Sequence, residues 1–71
     1  MNVLQICDFL RATGGIAVDA RLFSVLDLVT IAQTAAGANR MLVIRSASVL
    51  SSLALTSISK AGGSNVVYDF Y

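Results

Sequence analysis

The 71 residues are enough for one domain, and a chain of this size buries only about 60% of the surface its unfolded form exposes. Hydrophobic residues make up 56% of it and charged residues 13%, against about 45–50% and about 25% in ordinary soluble domains, so it has too few charges to coat itself. Four aspartates against five bases leave a net charge of +1, which supplies neither a basic field for nucleic acid nor an acidic tail.

A small, apolar domain needs support from outside its own core. Cys7 is the only cysteine and there is no histidine, so neither an internal disulfide nor a zinc site is expected, and no cofactor is. Oligomerisation is the remaining kind of support. A bilayer span needs roughly 18 consecutive apolar residues, whereas the longest uncharged run, Ser46 to Ser59, is shorter and broken by serines. The first ten residues lack a basic start and carry Asp8, so a secretory signal does not fit. The chain reads as made in the cytoplasm, with any later export and its final location open.

In chain order, Val3, Ile6, Cys7 and Leu10 recur at helical spacing, with Gln5, Asp8 and Arg11 on the other side. This helix is expected to stop at Gly14 and Gly15, acting as C-caps. Ile16 to Ala20 reads as a short strand. A second helix, about Arg21 to Ala36, carries two apolar stripes: Leu22, Val25, Leu26 and Val29, then Leu28, Ile31, Ala32 and Ala35. Asp19, or Ser24 with Asp27 three residues on, can cap its start. Gly37, Ala38 and Asn39 follow as a stop signal.

Met41 to Ala47 is the best strand, with Leu42, Val43 and Ile44 at its centre. Ser48 is the expected N-cap of a third helix over Val49 to about Ala61, where Lys60 suits the C-terminal dipole. Gly62 and Gly63 close it, and Asn65 to Tyr71 ends the chain as a strand rich in β-formers.

Three helix-strand units emerge, spaced roughly 25 residues apart in the range of repeat architectures. The fold class is α/β, one domain over residues 1–71. Right-handed crossovers give a parallel sheet of order 1-2-3 with the helices on one face. Alternation turns Ile16, Val18, Leu42, Ile44, Val66, Tyr68 and Phe70 toward the helices. It leaves Ala17, Asp19, Met41, Val43, Arg45, Val67, Asp69 and Tyr71 on a far face that no helix covers.

Chemistry-bearing residues are sparse. Cys7 lies on an apolar stripe and has no histidine to activate it, so it reads as core. Neither glycine pair carries the lysine of a phosphate loop or fits a dinucleotide fingerprint. The bases Arg11, Arg21, Arg40, Arg45 and Lys60 form no run and are not interleaved with aromatics, so nucleic acid is not an expected partner. The serines from Ser46 to Ser59 lack the motifs of a catalytic hydroxyl, and no catalytic residue or small-molecule substrate is evident.

The expected function is therefore structural: a self-assembling subunit of a filament or other open homopolymer, without enzymatic activity. Alternatives are a small membrane-active or toxin-like peptide, with its second helix in a bilayer interface, and a small binding module completing a larger partner. The assembly interface is expected at Leu28, Val29, Met41, Val43, Val67 and Tyr71. Asp19, Arg45 and Asp69 fall side by side in the proposed register and would set it by alternating charge. Continuation of the sheet from copy to copy would place Asp69 beside Asp19, so a staggered or face-to-face contact is expected instead.

Overall fold

Asn2 and Gln5 start the fold. In the computed structural model, which describes residues 2–71, Gln5 N–H donates to Asn2 Oδ1 at 2.9 Å and Asn2 N–H donates to Gln5 Oε1 at 3.0 Å. This capping box satisfies two donors that a helix N-terminus otherwise leaves free, and α1 follows over Val3–Ala12. Its spacing buries Ile6, Cys7 and Leu10. The helix ends at Thr13, whose backbone is extended and whose N–H reaches Phe9 O at 2.9 Å. Gly14 and Gly15 are not its caps, since neither has a positive φ. Gly15 instead opens β1 (Gly15–Asp19), where an added Cβ would sit 2.7 Å from Met41 O.

Each crossover from sheet to helix layer uses a 3-10 turn that the period-based reading runs into the helix. After β1, Ala20–Leu22 forms such a turn, capped by Asp19. Helix α2 (Val25–Ala38) then starts at Ser24, whose Oγ accepts from Asp27 N–H at 3.2 Å, not at Arg21. It runs through Gly37 and stops at Asn39, left-handed at φ 55°. After β2 (Met41–Arg45) the device recurs: Ser46 turns left-handed, Ala47–Val49 forms the 3-10 turn, and Ser51 caps α3 (Ser52–Gly62) by accepting from Ala54 N–H at 3.1 Å. Ser48 is thus inside the turn and caps nothing. In both turns one alanine, Ala20 or Ala47, is buried against the core.

The last strand, β3, is Val66–Tyr68, shorter than the expected Asn65 to Tyr71. Gly63, at φ 56°, redirects the chain through a further 3-10 turn over Gly63–Asn65. The pairing outlasts the strand by one residue: Asp69 N–H donates to Ile44 O and Asp69 O accepts from Ala47 N–H, both at 2.9 Å. Phe70, past the end of the strand, is 55% exposed with its ring 6.0 Å from that of Tyr68, so it stands beside that ring at the sheet edge and does not pack beneath the helices as expected.

The three strands are parallel in the order β1-β2-β3. Ile16 stands opposite Leu42 and Leu42 opposite Val66; Val18 stands opposite Ile44 and Ile44 opposite Tyr68. The helices cover one face, where Val18, Leu42 and Ile44 pack with Leu10, Leu28, Ile31 and Ile58. Each wholly buried leucine or isoleucine contributes about 1.5–3 kcal/mol. The seam between α2 and α3 is tight because its residues are small: a Cβ on Gly62 would overlap Val66 Cγ2 and come within 3.1 Å of Ala32 Cβ. Between α1 and α2, Thr34 Oγ1 lies 3.3 Å from the buried Cys7 Sγ.

Candidate assembly interface

Burial divides the six residues expected at an interface. Leu28 is wholly buried within the subunit, so it belongs to the core and is corrected out of the interface. Helix periodicity explains the error: Leu28 shares one stripe with Ile31, Ala32 and Ala35, which faces the sheet. Val29, one residue on, is half-buried and packs against the core margin, on the side of α2 nearer Ala32 and α3. Met41 and Val67 are 41% and 45% exposed, Tyr71 is fully exposed, and Val43 is half-buried between its neighbouring strands. With Ala17 they make the outer face of the sheet, apolar along its middle and open to solvent.

At the carboxyl ends of the strands the charged residues gather. Asp19 stands opposite Arg45 in the strand register, and Arg45 Nε lies 3.9 Å from Asp69 Oδ2. Asp19 is engaged elsewhere: Arg21 Nη2 donates to Asp19 Oδ2 at 2.7 Å, Arg21 Nε to Oδ1 at 3.1 Å, and Arg21 N–H to Oδ1 at 2.9 Å. The guanidinium, followed by the backbone N–H, holds the Asp19 carboxyl down at about 2. An unbroken alternation Asp19, Arg45, Asp69 is therefore replaced by two pairs, Asp19 with Arg21 and Arg45 with Asp69. Sequence reasoning missed Arg21 by placing it in a helix. The signal was present, since an aspartate two residues before a donor at a strand end is an Asx-turn pattern.

These side chains border an open cleft of about 500 Å³ with Ser46 and Tyr71. Its two acids and two bases balance, so it offers an ionic ligand no net field. No group of three or more metal-ligating side chains occurs among the described residues.

The sheet edges complete the site. Met41 N–H donates to Gly14 O, so by the alternation of a parallel ladder the amides of Gly15 and Ala17 point away from β2. Asp69 bonds inward to β2, so those of Val66 and Tyr68 point outward on the other side. Beside the β1 edge lies a groove of about 260 Å³, mostly apolar, walled by Ile6, Ile16, Ala17, Val18, Leu22 and Phe23 with Asp19 at one end. Beside the β3 edge stands the Tyr68–Phe70 ring pair, with Tyr68 Oη anchored to Leu55 O at 3.1 Å and to Ser59 Oγ at 2.6 Å.

No family model, no curated protein and no solved structure matches this chain.

Proposed function

We propose that the chain is a structural subunit that assembles with copies of itself into an open polymer and catalyses no reaction. The observation that carries this reading is a parallel sheet with an apolar outer face and two unpaired edges, a kind of sheet that is ordinarily covered on both faces. Unpaired backbone rows at such edges are templates for another strand. A stable interface takes roughly 1,000 Å², and the edges with the outer face are the surfaces available to supply it.

Sedimentation velocity across a wide concentration range, with negative-stain microscopy of the same samples, tests the reading. Species larger than 7.4 kDa that grow with concentration and form regular particles are expected. A lone 7.4 kDa species throughout would overturn it.

A second reading rests on Leu22 and Leu26, 76% and 75% exposed with Val25 between them at 41%. This apolar patch at the start of α2 suits a lipid interface, although no helix among the described residues is long and apolar enough to cross a membrane. Pelleting that requires liposomes would favour it over self-assembly.

A further inference from the structure

Resting on the assembly reading, we infer that copies join head to tail, the open edge of β3 in one copy pairing in parallel with the open edge of β1 in the next, Val66 opposite Ile16. The two joints inside the subunit set this register, because Ile16, Leu42 and Val66 form one row across the sheet. Val66 N–H then meets the Gly15 carbonyl of the next copy, and the Val66 carbonyl meets the Ala17 N–H, in the same phase as β1 with β2. Side-chain direction agrees. Val66 and Tyr68 fall beside Ile16 and Val18, all on the helix side of the sheet.

Shape at the two edges is complementary. Carried one pair past the ends of both strands, this register brings Phe70 toward Ala20 of the next copy, next to the groove between Ile6, Ile16, Leu22 and Phe23. Phe70 is exposed at one edge and the groove is open at the other, so joining them removes both from water.

Charge, which argues against this joint from the sequence alone, opposes it much less in the structure. The joint brings Asp69 beside Asp19, but Asp19 is already clasped by Arg21. Asp69 arrives next to an acid whose charge is already offset, while its own Arg45 stands at 3.9 Å. Each acid at the junction thus brings a base from its own copy, so neither carboxylate meets the other unpaired. A face-to-face contact would instead press Arg45 and Asp69 against a second apolar sheet and desolvate them. Because the two patches differ, the contact is heterologous and propagates until it closes on itself or remains open.

Paired cysteines at Ala17 and Val67 read the joint directly. Neighbouring strands lie about 4.7–4.9 Å apart, within the roughly 4.4–6.8 Å Cα separation of a disulfide. Within one copy Val43 stands between Ala17 and Val67, which puts them two strand spacings apart and out of reach, so a bond between them links copies. Cys7 stays in place, buried, and each single variant controls for it. The Ala17→Cys/Val67→Cys chain is expected to give a reducible ladder in 7.4 kDa steps on oxidation, and the single variants to stay unlinked. Phe70→Ser and Leu22→Ser, both at exposed positions, are each expected to raise the concentration needed for assembly ten-fold or more. Polymers of the unaltered chain combined with no ladder, with dimers from each single variant, or with assembly indifferent to both serine changes would overturn the joint and leave the assembly reading standing. An unaltered chain that sediments only as a monomer would overturn the assembly reading and the joint with it.

Discussion

Strand β2 presents two faces of opposite fate, each apolar up to Arg45 at the end of the outer one. Leu42 and Ile44 are sealed beneath the helices, while Met41 and Arg45 are exposed and Val43 is half-buried. On the inner face every side chain is enclosed by the subunit, so its size and polarity decide whether the chain folds. On the outer face the subunit asks little of Met41, Val67 or Tyr71. Hydrophobicity alone therefore does not identify core; enclosure does.

The widest separation of the two faces comes from placing a charge on each. Leu28→Asp puts an unpaired carboxyl group into the core, where even a neutral polar group without a partner costs roughly 2–7 kcal/mol and an ionised one more. That is comparable to the whole stability expected of a domain this size, at about 0.05–0.15 kcal/mol per residue. Loss of the helical circular dichroism signal is the expected outcome. Val67→Asp, at a position 45% exposed, is expected to leave melting within about 0.5 kcal/mol of the parent, so a change in its sedimentation reports on contacts between copies.

Gly62→Ala comes next. The new methyl group overlaps Val66 Cγ2 and crowds Ala32, and overpacking of this kind costs about 1–3 kcal/mol, measurable by urea unfolding. Ser51→Ala follows at about 1 kcal/mol, since Ser51 caps α3. Its neighbour Ser48, which caps nothing, is expected to tolerate alanine to within about 0.5 kcal/mol. Equal losses for the two serines would place the helix start where the sequence reading puts it.

The smallest effect is electrostatic and lies at the rim of the outer face. Asp19 titrates at about 2 in the fold against an ordinary 3.8. A depressed carboxylate stabilises the fold above its unfolded value, and that contribution is lost as pH falls from about 3.8 through about 2. Thermal melts between pH 5 and 2 should therefore decline less steeply in Asp19→Asn than in the parent, with salt reducing the difference because the pair is at the surface.

What was legible in the sequence was the sheet. Three β-rich runs at regular spacing, each preceded by a helical period, leave few topologies open to short right-handed crossovers. The order, the parallel sense and the inward residues Val18, Leu42 and Ile44 all follow. The junctions were illegible to periodicity, because a 3-10 turn such as Ala20–Leu22 continues an apolar pattern without being part of the helix. That also misassigned Leu28: the stripe starting at Leu22 looks equal to the one starting at Leu28 until the helix is seen to begin at Val25. Turn chemistry carried the missing information. Asn2 with Gln5, Asp19 before Arg21, and Ser51 before Ala54 each mark a boundary by a short polar side chain and the amide it satisfies.

The unequal widths of a helix and a strand would bear on the shape of any polymer this chain forms. Helices pack about 8–10 Å apart and paired strands about 4.7–4.9 Å, yet each unit here contributes one of each. A row of such units must bend, with the helices on the outer arc and the sheet on the inner one. In a polymer joined edge to edge, Ala17, Val43 and Val67 would line a concave channel repeated with every copy. The contact of Gly62 with Ala32 draws two helices together and so relaxes the bend. In such a polymer the missing side chain at that single position would set the radius of the arc, and bulk added there would tighten the curve.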